Sequence, residues 1–265
     1  MGYGQSVAAQ VAPVIRHLDE VSPGDVLGVY LFGSAASSGI RPESDIDLLV
    51  LTRRSLSTRE RRDLTDLLLA VSGWQGHAAR FPDAQDRRPI ELTSLAAPRP
   101  GSWAGAPLRD FQYGEWLREE ILDGHVPMPE NDPDVTVLIA TAHHAHRVLL
   151  GQPLGTLLPA VPPEALTDAV LASVPGVLAG IEGDERNTLL TLARILVALD
   201  TGQIVSKDAA AKTVADSLTG TDRALMECAR SHYLGIGDTA GDAPAGATTA
   251  LARLLANRAA GPRSS

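Results

Sequence analysis

The chain has 265 residues, a formal net charge of −9, 44% hydrophobic residues and a mean hydropathy of +0.01. That length allows two modest cores, the apolar content excludes a disordered chain, and the acidity argues against the basic face that a nucleic-acid partner demands. No run approaches the roughly 20 apolar residues of a membrane span, the start Met1–Gln5 lacks the features of a signal peptide, and the single Cys228 allows no intramolecular disulfide. The expectation is a cytoplasmic monomer with no membrane partner.

Val7, Val11, Val14, Ile15 and Leu18 predict an opening helix over 5–18. The apolar run Val26–Phe32 predicts a strand, which enters a turn of small residues beginning Gly33-Ser34. A second strand, through Leu48–Leu51, carries Asp45 and Asp47 out of that turn. Ser57-Thr58-Arg59-Glu60 is a capping-box pattern, followed by Leu64, Leu67, Leu68 and Val71 in a helix ending near Gly73. The basic run from Arg53 to Arg62 contains acids and reads as a solvated helix face. Arg88–Leu95 alternates like a strand, with Ile90, Leu92 and Ser94 on one face and Glu91, Thr93 and Leu95 on the other. Residues 97–107 read as a loop. Asp132-Pro133-Asp134 starts a helix through Val135, Leu138, Ile139, Ala142 and Ala145, which Gly151-Gln152-Pro153 stops. Further helices read at 163–173, 185–200, 207–218, 221–234 and 248–258, with a linker over 235–247 and a fraying end at 261–265. The fold expected is an α/β (α+β) domain with a mixed sheet over 1–157, then an all-helical domain over 158–265.

Residues two apart on a strand share a face, so Asp45 and Asp47 project together. Carboxylates that close repel unless a cation sits between them, and hard oxygen donors suit magnesium, which completes its shell with water and substrate phosphates. The Gly33-Ser34 turn offers backbone N–H groups and a hydroxyl to those phosphates. Glu91, on a strand able to pair beside the Asp45–Thr52 strand, supplies a third carboxylate that could ligate metal and accept a proton. Glu91 as a solvent-facing strand residue is the plainer reading.

Gly33-Ser34, Ser44-Asp45-Ile46-Asp47 and an acid on a later strand resemble the nucleotidyltransferase pattern of the polymerase-β-like superfamily. Phe111–Trp116, Gly183–Asn187, Thr201-Gly202 and Ser206-Lys207-Asp208 resemble, in order, the aminoglycoside adenylyltransferases that modify streptomycin and spectinomycin. The resemblance runs to about residue 234. It implies two magnesium ions on Asp45, Asp47 and Glu91, with Glu91 also the catalytic base. It implies ATP contacts from Ser34, Ser44, Asp134, Arg194, Lys207 and Tyr233, and drug contacts from Trp116 and Asp184. The implied reaction moves AMP from ATP to the 9-hydroxyl of spectinomycin or the 3″-hydroxyl of streptomycin, conferring antibiotic resistance. Gly180 and Pro175 depart from the pattern expected of members that take both drugs, where an acid and a Trp stand. The departure favours the more compact spectinomycin.

Several of these residues have plainer readings. Asp184 fits a helix N-cap, Asp134 a helix first turn, and Lys207 an exposed helix start. Trp116, Tyr233 and Cys228 fit core positions, burial being the default for a Trp. His143, His144 and His146 suggest a metal cluster, with His143 and His146 on one helix face, but no third ligand has suitable spacing. Two competing functions remain at this level: a nucleotidyltransferase of toxin–antitoxin type acting on a protein or tRNA, and a nucleotide-binding regulatory module with a decayed site. The second predicts that an acid is missing, and all three are present.

Overall fold

The computed structural model describes residues 3–37, 44–77, 79–97, 103–236 and 246–261. In chain order they form α1 (Tyr3–Glu20), β1 (Val26–Phe32), α2 (Ser34–Ser37), β2 (Ile46–Thr52), α3 (Thr58–Val71), β3 (Ile90–Ala96), β4 (Arg109–Tyr113) and α4 (Arg118–Leu122). There follow α5 (Asp134–His144), β5 (His146–Gly151), α6 (Leu154–Leu157), α7 (Pro163–Ala179), α8 (Glu185–Thr201), α9 (Lys207–Asp216), α10 (Gly220–Leu234) and α11 (Ala247–Ala260). Part of the expected turn (38–43), of the 97–107 loop (98–102), of the linker (237–245) and of the end (262–265) lies outside the described residues.

The strands form one mixed sheet in the order β4-β3-β2-β1-β5, in which only β2 and β3 pair in parallel. Alternation sorts the side chains. Val29, Leu31, Ile46, Leu48, Val50, Ile90 and Leu92 join a core with Val7, Val11, Val14 and Leu18 of α1 and Leu64 and Leu68 of α3. Burying each such side chain contributes about 1.5–3 kcal/mol. Their neighbours at the odd and even positions between, Asp47 and Glu91 among them, therefore project from the opposite face. The capping box forms as the sequence implies, with Ser57 N donating to Glu60 Oε2 at 2.7 Å and Glu60 N to Ser57 Oγ at 3.3 Å.

The chain divides into two compact units: Met1–Val135 with Ala145–Ala160, and Thr136–His144 with Val161–Ser265. From Thr136 on, α5 thus groups with the helical unit, although the sequence places it in the first half. In that unit α8 is central, packing against α7, α9, α10 and α11 and burying Leu189, Leu190, Leu192, Ala193 and Ile195. No helix among the described residues is long and apolar enough to cross a membrane.

Four expectations change. The helix begun at Asp134 stops at His144, and His146–Gly151 is strand β5, antiparallel to β1. Val148-Leu149-Leu150 fits either period, and the decision comes from the open hydrogen-bonding edge of β1. Strand β4 was read only as a motif, because Phe111 and Tyr113 alone alternate too briefly. The helix read over 163–173 continues to Ala179 with Pro175 inside it. Arg61, assigned to a solvated face, is 1% exposed, and its Nη2 donates to Asp110 Oδ1 at 2.8 Å. It also donates to the Asp110 and Pro127 carbonyls and to Ser55 Oγ, which is how a core accepts a charge.

Candidate active site

Strand β1 ends at Phe32, and Gly33 after it, with φ +68°, turns the chain into α2 with Ser34 as its first residue. A Cβ on Gly33 would fall 2.1 Å from Asp47 Oδ2, so the carboxylate occupies the space that a side chain would need. Glycine is required here twice over, for the left-handed backbone and for the close approach. Asp47 pairs directly with Glu91 across the parallel strands, and directly opposed residues share a face. Both are half-buried, as is Asp45, which stands just ahead of β2. Two ties hold the strand starts together: Ile46 N donates to Pro89 O at 2.9 Å, and Arg88 Nη1 donates to the buried Ser44's carbonyl at 3.0 Å. The sheet thereby sets Asp47 against Glu91 beside Gly33, with Ser44 and Asp45 directly ahead of β2.

The donors offered are hard carboxylate oxygens, which fits magnesium. Among the described residues no three His, Cys, Asp or Glu side chains gather into a metal-binding group.

Trp116 is not in the core; it is 57% exposed, in the single turn Glu115–Leu117 after β4. Its ring lies against Gly114, where a Cβ would meet the indole at 2.3 Å. The turn is anchored beneath by a buried network. Glu115 receives hydrogen bonds from Ser72 Oγ at 2.6 Å, Tyr113 Oη at 3.0 Å, and Arg118 Nε and Nη2 at 2.7 and 2.9 Å. Burial pushes the Glu115 carboxyl up, and the bonds from Arg118, Ser72 and Tyr113 outweigh it, leaving the pKa below the usual value. Sequence reasoning missed this support, although Glu115 and Arg118 stand at a spacing where side chains meet on a helical turn.

Asp134 is the exposed first residue of α5. Desolvation first, then the Asp132 charge, raises its pKa against the pull of Arg109. In the helical unit Asp184 precedes α8 and makes no side-chain cap hydrogen bond; it is exposed, and Gly183 before it has φ +80°. Capping therefore does not account for its carboxylate. Arg194 Nη2 donates to Thr141 Oγ1 at 3.3 Å, and Lys207 Nζ donates to Asn187 Oδ1 at 2.6 Å. Tyr233 is half-buried against the helical core. Gly180 caps the C-terminus of α7. The expected histidine helix face does not form, since His143 and His144 close α5 while His146 opens β5.

A mixed sheet carrying paired acids beside a Gly-Ser turn, ahead of a helical unit, defines a polymerase-β-type nucleotidyltransferase. The polymerase beta nucleotidyltransferase family model matches residues 17–75, and the aminoglycoside adenylyltransferase C-terminal domain matches residues 156–258. A spectinomycin 9-adenylyltransferase of Campylobacter jejuni is 38% identical over 226 residues, 85% of each chain. An aminoglycoside (3″)(9) adenylyltransferase of Escherichia coli is 32% identical over 234 residues, 86% of each. The solved structure of a spectinomycin adenyltransferase from Enterococcus faecalis, with ATP and spectinomycin, superposes with a TM-score of 0.85. It is 29% identical, and the match covers 96% of this chain and 99% of that one. The chain belongs to the family of spectinomycin and aminoglycoside (3″)(9) adenylyltransferases.

Proposed function

We propose that this chain transfers AMP from ATP to the 9-hydroxyl of spectinomycin, conferring resistance, and that streptomycin is the poorer acceptor at its 3″-hydroxyl. The observation that carries the reading is the Asp47–Glu91 register beside Gly33, together with the family to which the chain belongs. Glu91 takes the proton of the drug hydroxyl; the oxygen attacks the α-phosphorus, the bond to the β-phosphate oxygen breaks, and pyrophosphate leaves. Asp45 and Asp47, with Glu91, hold magnesium, two ions in our reading. When bound, the metal neutralises phosphate charge as the leaving group departs. Ser34 and Ser44 bind the phosphates, and Asp134, Arg194, Lys207 and Tyr233 complete the nucleotide contacts. Asp184 offers the drug's amines a charge-assisted hydrogen bond and Trp116 an aromatic wall. Glycine at 180 and proline at 175 supply no carboxylate or indole for the larger, guanidinium-bearing streptomycin. The domains follow the two roles: 1–157 carries the transfer chemistry, and 158–265 contributes to nucleotide and drug binding.

The test is incubation with Mg-ATP and each drug separately, followed by mass spectrometry for added AMP. AMP on spectinomycin, and less or none on streptomycin, is expected. AMP on streptomycin alone overturns the drug preference, and AMP on neither drug but on a protein or tRNA establishes the competing activity.

A further inference from the structure

The row of residues that holds the two acids does not end at β1. Asp47 faces Glu91 on β3 and Phe32 on β1, and Phe32 in turn faces His146, the first residue of β5. Directly opposed residues on neighbouring strands project to the same face, so Glu91, Asp47, Phe32 and His146 form one row across four strands. The imidazole stands edge-on to Tyr30, two residues before Phe32 and so on that same face, with ring centroids 5.6 Å apart. At about 4.8 Å per strand, His146 lies about 10 Å from Asp47 along the row and about 14 Å from Glu91. Gly33 and Ser34 follow Phe32 directly, so the phosphate turn leaves the sheet between Asp47 and His146.

That row has a direction in the reaction proposed above. In-line displacement puts the attacking hydroxyl and the leaving pyrophosphate on opposite sides of the α-phosphorus. Glu91 marks the hydroxyl end, Asp47 the metal beside the phosphorus, and Ser34 the phosphates beyond it. The pyrophosphate therefore extends toward β5. The geometry points to His146 as a further binding residue for the β and γ phosphates, donating an imidazole N–H to the leaving pyrophosphate. This assignment rests on the nucleotidyl-transfer reading of the site. It also gives a role to a histidine that the sequence alone grouped with two others, which lie on α5 and outside the row.

The plain alternative is that His146 only packs on Tyr30, and two substitutions separate the roles. His146→Phe keeps an aromatic ring against Tyr30 and removes the N–H; His146→Gln keeps an N–H donor. The full chain, in magnesium, is titrated by calorimetry with inorganic pyrophosphate and separately with AMP. His146→Phe should bind pyrophosphate about ten- to a hundredfold more weakly, as expected for one hydrogen bond to a charged group, with AMP affinity unchanged. His146→Gln should recover most of the loss. Equal pyrophosphate affinity in wild type and His146→Phe, equal losses for pyrophosphate and AMP, or a Gln variant as weak as Phe would each overturn the assignment. A wild-type chain that needs His146 for pyrophosphate yet adenylylates no drug would leave this inference standing and remove the proposed drug activity.

Discussion

In the sheet unit, Asp47 and Glu91 are set by backbone register, whereas in the helical unit Asp184 stands at a helix end and Arg194 and Lys207 hydrogen-bond to the side chains of Thr141 and Asn187. The difference is one of tolerance. A one-residue slip of a strand sends its side chains to the other face, so register is all or nothing. A residue at a helix end can change type or rotamer with little effect on the helix beneath it. Bond-making needs reacting groups held tightly, since a misplacement of about 1 Å can cost a hundredfold in rate. The drug contacts proposed for the exposed Asp184 carboxylate and Trp116 indole can vary at far smaller cost. Strand register thus suits the bond-making proposed for Asp47 and Glu91, and the exposed positions of Trp116 in the sheet unit and Asp184 in the helical unit suit the proposed choice of acceptor.

Glu91→Gln tests that division most severely. The rate of AMP transfer should fall by about a hundred- to ten-thousandfold, the usual worth of a general base, while ATP affinity stays near wild type. Wild-type turnover in that variant would remove Glu91 from the chemistry. Arg61→Ala comes next, read as stability. It leaves Asp110 buried and uncompensated, and chemical denaturation should show a loss of about 3–5 kcal/mol, whereas Arg61→Met with Asp110→Leu should lose less. Gly33→Ala should reduce turnover by about a hundredfold, because the new Cβ displaces the Asp47 carboxylate. If Gly33→Ala lowered only stability, the carboxylate's position would not matter to the reaction.

Asp184→Asn sharpens the comparison from the other side. It should raise the KM for spectinomycin about tenfold with kcat nearly unchanged, as for loss of one charge-assisted contact. A kcat loss matching that of Glu91→Gln would erase the distinction between the units. The smallest effect concerns acid. Because the folded Glu115 has a depressed pKa, it binds fewer protons than the unfolded chain does. Its stabilisation is present above the ordinary glutamate value of about 4.3 and is lost as pH falls through the lower folded value. Thermal unfolding of Glu115→Gln below that pH should therefore depend less steeply on pH than that of the wild type.

Much of the site was legible without coordinates. Gly33, Ser34, Asp45 and Asp47 lie within one short stretch, where strand period alone places the acids side by side. Glu91 was legible as an acid on a strand, and its pairing with Asp47 rather than with another residue was not. Pairing of segments about 40 residues apart depends on the whole sheet. Strand β5 and the buried Arg61 were misread for the same reason, since local pattern cannot see an open strand edge or a distant Asp110. Trp116 was misread because its exposure depends on Gly114 beneath the ring and on the Glu115–Arg118 pair that pins its turn.

The sequence by itself determined the chemistry on offer: two acids on one strand end, a Gly-Ser turn, a third acid, and a helical second half of recognisable pattern. Those are consequences of residue type and short-range period, which the chain carries locally. Tertiary structure alone decided the register that sets Asp47 against Glu91, the packing that keeps Asp47 over Gly33, and the row that reaches His146. Each of these joins segments far apart in the chain, and hydrogen bonding across a sheet is what selects one alignment among the many that local pattern allows.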